Sequence, residues 1–155
     1  MLYGIHAISR DDDIAVVYVR RPPVNPAVAF MTFGALADGN VDVDIIIQTS
    51  VGHGNDLIFT IHAADSERAR DILTRTFADS PETEIEIDPS AVKLSVSGEG
   101  MQGKPGVAAQ VFKCLWDAGV RILNISTSEI KISMLIPRRD ADRAYQALLD
   151  GFEIV

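Results

Sequence analysis

The stretch Gly103–Phe112 reads "GKPGVAAQVF", a turn bounded by glycine and proline that leads at once into a helix of small residues. The first amides of a helix have no partner within it and carry a partial positive charge, so such a turn can hold a phosphate or a carboxylate. Gly106 would let the backbone approach a ligand, and Ala108 and Ala109 leave room beside it. The pattern predicts a site for a small anionic group, although an ordinary strand-to-helix turn has the same sequence.

Other residues that could carry chemistry are sparse. Cys114 is the only cysteine, which excludes an intrachain disulfide and a cysteine-based metal site. The three histidines share no metal-ligand spacing with a pair of carboxylates, so we expect no metal and no cofactor. Ser126, Thr127 and Ser128 have no histidine near them in sequence, and nothing suggests nucleophilic catalysis.

The composition is that of a globular protein with a real core, since 47% of the 155 residues are hydrophobic. A net charge of −8 argues against nucleic acid or an anionic membrane as the main partner, because both favour a basic surface. No apolar run approaches the roughly 18 residues that span a bilayer, and the N-terminus does not read as a signal peptide. We therefore expect a cytoplasmic protein.

The chain contains one pattern twice. Asn25–Ser50 falls on Lys104–Glu129 without a gap, and Asp65–Leu73 falls on Asp140–Leu148 after a short insertion in the first copy. Chance can align one proline, but not an ordered set of turn proline, apolar positions and second helix. We interpret the sequence as a tandem repeat.

Each copy is predicted to form a strand, a helix, two strands and a second helix. Ile14–Arg20 and Val92–Gly98 are β-branched and partly alternating, as first strands should be, and apolar residues at helical spacing follow each proline turn. Asn25 is predicted to cap the first helix, with Pro26 at its first position. Thr83–Asp88 supplies a further strand in the first copy only.

The N-terminal segment Leu2–Ser9 is left without a partner in this arrangement. We expect it to cross over and complete the sheet of the second copy. The predicted fold is therefore α+β, with two interlocked βαββαβ units. The predicted domains are residues 14–88, and residues 2–9 together with 92–155.

These units resemble the ACT domain, a ferredoxin-like module that senses amino acids. The tandem pair is similar, more narrowly, to the regulatory region of aspartate kinase. The segments that carry this resemblance are "GEGMQGKPGVAAQVF", "ISTSEIKISMLI", "ALADGNVDVDIIIQ" and "FTIHAADSERARDIL". The resemblance covers nearly the whole chain and implies two ferredoxin-like ACT modules, with the N-terminal strand in the second.

The resemblance implies regulation rather than catalysis by this chain alone. In that family a separate catalytic domain binds ATP and aspartate, and this sequence has no glycine-rich phosphate loop with a catalytic lysine. The implied partners are an amino-acid effector (threonine, lysine or both), a second copy in a homodimer through the ACT modules, and the aspartate kinase catalytic domain or subunit. The chain would be a regulatory fragment or a small separate regulatory subunit.

The resemblance also implies where the effector binds, namely where modules of two chains meet, at the first-helix turn and the following strand. The turn would hold the carboxylate, while carbonyls and carboxylates of the strand would hold the ammonium group. In the first module the implied positions are Asn25, Pro26, Ala27, Val28, Ala29, Asp42, Val43, Asp44 and Gln48. In the second module they are Lys104, Pro105, Gly106, Val107, Ala108, Ile122, Ser126, Thr127, Ser128 and Glu129.

Several residues depart from the usual pattern of the family, among them Val24, Ala27, Arg121 and Leu123. They are consistent with an alternative in which the pair is a dimerisation module with decayed effector pockets. A stand-alone ACT amino-acid sensor is another alternative. A small ferredoxin-like enzyme is a third, but it would need a cluster of titratable residues in one cleft, and the sequence offers no clear candidate.

Overall fold

The computed structural model describes residues 2–49 and 56–155. The insertion that separates the two matched parts of the first copy lies largely at residues 50–55, outside this description. The helices and strands follow in the order β1 (Ala7–Asp11), β2 (Ile14–Arg20), α1 (Val28–Asp38), β3 (Val43–Gln48), β4 (Leu57–His62), α2 (Ser66–Thr76), β5 (Glu84–Asp88), β6 (Ala91–Ser97), α3 (Val107–Asp117), β7 (Asn124–Thr127), β8 (Lys131–Pro137) and α4 (Ala141–Gly151).

The chain divides into two compact units. The first unit is Asp13–Pro89, and the second unit is Met1–Asp12 together with Ser90–Val155. Over the described residues, each unit contains one four-stranded sheet and two α-helices. Within the described residues, no helix has the length and apolar character needed to cross a membrane.

The sheet of the first unit has the strand order β3-β4-β2-β5, with antiparallel neighbours throughout. Alternate residues of β2 enter the core, because successive side chains of a strand point to opposite faces. Ala15, Val17 and Val19 meet Leu36 of α1 and Leu73 of α2 there. The two helices therefore pack on one face of this sheet.

The sheet of the second unit has the strand order β1-β6-β8-β7, again antiparallel. Its outer strand β1 comes from the N-terminus and runs from Ala7 opposite Ser97 to Asp11 opposite Lys93. When β1 is counted as the last strand, the order is the same as in the first unit. This confirms the predicted α+β fold of two ferredoxin-like units with the N-terminal strand in the second sheet.

Three glycines allow the N-terminal segment to reach this position. A Cβ atom on Gly4 would lie 2.4 Å from the backbone carbon of Gly100, and one on Gly98 would lie 2.1 Å from the Gly4 oxygen. Neither distance is compatible with a side chain, so the two backbones are in direct contact. The loop after β6 is thus packed on the residues that precede β1.

The start of α1 differs from the sequence prediction. The helix begins at Val28 rather than at Pro26. Asn25 does cap, but it caps the turn that precedes the helix: its Oδ1 accepts a hydrogen bond from the amide of Ala27 at 2.9 Å, and its backbone oxygen accepts one from Val28 at 3.0 Å. The turn is therefore closed upon itself before the helix starts.

Candidate functional site

A cleft of about 380 Å³ lies at the start of α3 in the second unit. One side is the turn and first helical residues, 101–108, and the other is the end of β7 with the hairpin turn that follows. Its size is in the range of small-molecule sites. The lining residues are Met101, Gln102, Gly103, Lys104, Pro105, Gly106, Val107, Ala108, Thr127, Ser128, Glu129 and Ile132.

The turn side of the cleft carries positive charge. Gly106 precedes α3 with a φ of +99°, in the left-handed region that glycine adopts without strain, and no side chain in the described part of the chain caps this helix. The first helical bond runs from the amide of Gln110 to the oxygen of Gly106 at 2.9 Å. The amides of Val107 and Ala108 are therefore among those without a helical partner, and Lys104 adds a charge on the same turn. This side can attract a carboxylate.

The hairpin side of the cleft carries hydroxyl groups and a carboxylate. Ser128 donates its amide to the oxygen of Lys131 at 2.8 Å, which closes the hairpin turn. Glu129 follows in that turn and accepts a hydrogen bond from Nε2 of Gln102 at 2.9 Å. Gln102 thus joins the two sides of the cleft, and Glu129 places a negative charge opposite the positive turn.

The cleft also has apolar residues. Met101, Val107 and Ile132 line it and are each at least nine-tenths buried within the core of the second unit. An apolar floor between a cationic turn and a carboxylate complements a zwitterion that carries a short hydrocarbon chain.

The corresponding turn in the first unit is different. Ala27, which the repeat aligns with Gly106, has a right-handed φ of −81°. Asn25 already occupies the amides of Ala27 and Val28. Asn25 and Val28 line a smaller cavity of about 150 Å³, with residues at the end of α2. Two amides that a ligand would need are therefore satisfied within the chain.

The structure places the remaining first-unit positions as follows. Pro26 is exposed in the turn and Ala29 is half-buried on α1. Val43, Asp44 and Gln48 belong to the outer strand β3, directly after Asp42, and none of these four lines the 150 Å³ cavity. Asp42 Oδ2 lies 3.7 Å from Nε2 of His62.

In the second unit the structure brings most of the predicted positions together. Eight of the ten line the cleft: Lys104, Pro105, Gly106, Val107, Ala108, Thr127, Ser128 and Glu129. Ser126 lies in β7 opposite Ser133, and Ile122 packs against the core instead. Sequence reasoning did not assign Met101, Gln102, Gly103 or Ile132 to the site, although the first three lie in the quoted "GEGMQGKPG" segment.

A model described as the ACT domain matches residues 94–152. Among curated proteins, aspartokinase from Pseudomonas aeruginosa is 38% identical over 152 residues, which cover 97% of this chain and 37% of that protein. The chain thus spans little more than a third of the length of the curated relatives it matches.

Two solved structures cover the chain almost end to end. The regulatory subunit of aspartate kinase from Thermus thermophilus, in its ligand-free form, has a TM-score of 0.89 at 30% identity, covering 96% of this chain and 99% of that one. A chain in the structure of aspartokinase alpha and beta subunits has a TM-score of 0.87 at 36% identity, covering 97% of this chain and 99% of that one. The two units, their strand order and these full-length matches agree: the chain belongs to the family of aspartate kinase regulatory regions, which are built from ACT domains.

Proposed function

We propose that this chain is the amino-acid-sensing part of an aspartate kinase, with residues 14–88 as one ACT module and residues 2–9 with 92–155 as the other. By itself it would not phosphorylate aspartate, and its partner would be a catalytic domain or subunit. The nearly full-length similarity to a regulatory subunit of aspartate kinase supports this role. Feedback control of aspartate-family amino acid biosynthesis is the corresponding function.

The second-unit cleft is the proposed effector site. The observation that carries this is the pairing, across one cleft, of uncapped α3 amides with the carboxylate of Glu129. A free amino acid would direct its carboxylate to the turn at Gly106 and an ammonium group to Glu129. Threonine would leave its methyl group on the apolar floor, whereas lysine would bring a second ammonium group to this side.

The first-unit positions contribute less in this proposal. A carboxylate at that turn would have to displace Oδ1 of Asn25 from the amide of Ala27. The Cβ of Ala27 also occupies space that Gly106 leaves free. The two modules would therefore have unequal affinity for an effector, and the second would bind more tightly.

We also propose that two copies of the chain associate. In the second unit, α3 exposes Trp116 to 83% and Phe112 to 43%, one helical turn apart, and in the first unit α1 exposes Phe30 to 81%. Large exposed apolar side chains on one helix face are typical of an interaction surface. An effector held where copies meet would favour one arrangement by its differential affinity, typically about 1–3 kcal/mol.

The direct test is titration calorimetry of the chain with threonine and with lysine. We expect heat and saturation with at least one, and about tenfold weaker binding for Glu129→Gln, since one charge partner is lost. Glu67→Gln, on an exposed face of α2, is the matched control and should bind as the wild type does. Absence of heat and of any thermal shift with both amino acids at millimolar concentration would remove the ligand assignment.

The dimerisation module with decayed pockets is the second candidate function. The closed turn at Asn25 favours it for the first unit. It predicts a stable dimer by analytical ultracentrifugation whose association does not change when threonine or lysine is added. A change in association with either amino acid would contradict it.

A further inference from the structure

The turn side of the second-unit cleft, residues 101–108, is also packed against the N-terminal segment. Gly98 and Gly100 directly precede this side of the cleft in the chain and are in backbone contact with Gly4, as described above. From there the chain continues through Met101, whose amide donates to the oxygen of Gly98 at 3.2 Å, into the turn at Gly106. The residues that precede β1 are thus attached to the same short loop that faces the cleft.

Tyr3 adds a contact with this loop at the turn from which α3 starts. A Cβ atom on Gly106 would lie 3.4 Å from Cε1 of Tyr3 and 3.9 Å from its hydroxyl oxygen. The ring also packs edge-on against Phe152, with centroids 6.2 Å apart, and Phe152 is fully buried. The ring therefore lies between the core and the left-handed turn from which α3 starts.

We propose that Tyr3 is a positioning residue for the cleft and that it couples the cleft to the N-terminal segment Tyr3–Ile5. Its ring supports the turn that aims the α3 amides at the ligand, so this inference rests on the proposed function for the identity of that ligand. A ligand that holds the turn in place also holds Tyr3. Loss of the ring lets the turn relax and weakens binding by the same coupling.

The contact itself is testable without a ligand, by amide hydrogen exchange. In Tyr3→Ala, we expect the Gln110 amide, which donates to Gly106, to exchange roughly tenfold faster than in the wild type. The matched control is the Met31 amide of the first unit, which donates to Ala27 at 2.8 Å and should not change. Tyr3→Phe keeps the ring and should protect Gln110 as the wild type does.

Two glycine variants separate this contact from general strain. Gly106 and Gly103 both have positive φ angles, +99° and +71°, but only at Gly106 would a Cβ approach Tyr3. An alanine is strained at both of these φ angles, but only the turn at Gly106 is in van der Waals contact with Tyr3. Relaxation of that turn in Gly106→Ala should therefore disturb Tyr3 and speed exchange of the His6 amide, which donates to Ser97 at 3.1 Å, whereas Gly103→Ala should leave it unchanged. An equal effect of both variants on His6, or an unchanged Gln110 amide in Tyr3→Ala, would overturn the proposal.

The last set of measurements repeats the exchange experiments with threonine or lysine present and compares how tightly the variants bind them. We expect bound ligand to slow exchange at His6, and Tyr3→Ala to bind about tenfold more weakly while Tyr3→Phe binds within twofold of the wild type. If the wild type binds and Tyr3→Ala binds equally well, the inference fails and the proposed function stands. If the wild type binds neither amino acid, the proposed function fails, and the Gln110 amide still decides whether Tyr3 positions the turn.

Discussion

At the scale of single residues, two exchanges between the repeats distinguish a turn that is bonded to itself from an open one. The repeat aligns Asn25 with Lys104 and Ala27 with Gly106. The side-chain oxygen of asparagine can accept a hydrogen bond from an amide of its own turn, whereas the lysine ammonium group is only a donor and cannot. The turn before α1 is therefore bonded to itself through Asn25, although among the described residues no side chain caps either α1 or α3.

This difference predicts unequal stability effects at equivalent positions. Asn25→Ala removes the acceptor of the Ala27 amide and should lower the free energy of unfolding by about 1 kcal/mol. Lys104→Ala removes an exposed side chain and should change it by less than about 0.5 kcal/mol. Urea titration of both variants is the measurement, and equal destabilisation would contradict the capping role of Asn25.

At the scale of elements, both units use an arginine to join their two helices. In the second unit, Arg143 at the start of α4 donates to the oxygens of Ala118 at 2.7 Å and Gly119 at 3.3 Å, just beyond the end of α3. Its counterpart in the first unit, Arg68, donates to Asn40 at 3.0 Å. A cation at the end of a helix satisfies free carbonyls and interacts favourably with the helix dipole.

We expect Arg143→Ala to destabilise the protein by about 1 kcal/mol, because two carbonyls lose a charged donor on a half-exposed side chain. Arg68→Ala should lower the free energy of unfolding by less, since only one carbonyl loses its arginine donor. Thermal and urea unfolding of the two variants would measure the difference. If Arg68→Ala destabilised the protein more than Arg143→Ala, the number of carbonyls bonded would not explain the difference in stability.

Strand β1 is anchored to α4 by charge as well as by its hydrogen bonds to β6. Arg10 on β1 contacts Asp12 at 2.6 Å and Asp142 on α4 at 2.5 Å. The hydrogen bond from Arg10 holds the pKa of Asp12 below its usual range. Because the folded-state pKa is lowered, this carboxylate stabilises the protein above its unfolded pKa of about 3.8 and loses that effect as the pH falls through the folded value.

Arg10→Ala should therefore lower the urea midpoint at pH 7, and the difference from the wild type should shrink as the pH falls below about 3.8. Arg121→Ala, which removes an exposed arginine in the same unit, serves as the control at each pH. A difference between Arg10→Ala and the wild type that stays constant with pH would exclude a titrating ion pair as its cause.

At the scale of the whole molecule, the second unit is built from both parts of the chain that flank the first. Next to the pairing of β1 with β6 that completes its sheet, the backbones at Gly4, Gly98 and Gly100 are in contact. Met101, which follows Gly100, is the first residue of the cleft wall. The contact that holds the N-terminal segment and the proposed effector site are therefore adjacent in the second unit.

A pair of glycine substitutions tests this. Gly98→Ala places a Cβ 2.1 Å from the Gly4 oxygen and should destabilise the chain and speed exchange of the β1 amides. At Gly34 in α1, no described atom outside the neighbouring residues and the local helix backbone lies within 4 Å of a new Cβ. Gly34→Ala should therefore stabilise the protein by roughly 0.5–1 kcal/mol, because alanine favours a helix interior. If Gly98→Ala left the free energy of unfolding and the exchange of the β1 amides unchanged, the contact between Gly98 and Gly4 would not support the fold.

The sequence by itself determined the repeat, nearly all the strands and helices, the crossover of the N-terminal strand and the turn at Gly106. These follow from local periodicity and from a pattern that occurs twice, which leaves one strand without a partner. The second-module positions around the cleft were implied by the resemblance to the aspartate kinase regulatory region, and the turn at Gly106 is the part of that set that the local pattern also indicated. The helix start at Val28 was missed, because the turn at Asn25 depends on the backbone angles of Ala27.

Only the tertiary structure decided which chemical groups meet. The sequence separates Gln102 from Glu129 and Tyr3 from Gly106, and no local pattern links either pair. Their contacts depend on strand pairing, on loop positions and on side-chain conformations that are fixed when the core packs. The second turn is open and supported from behind while the first is closed, because long-range packing places Tyr3 at one turn and a short side chain closes the other.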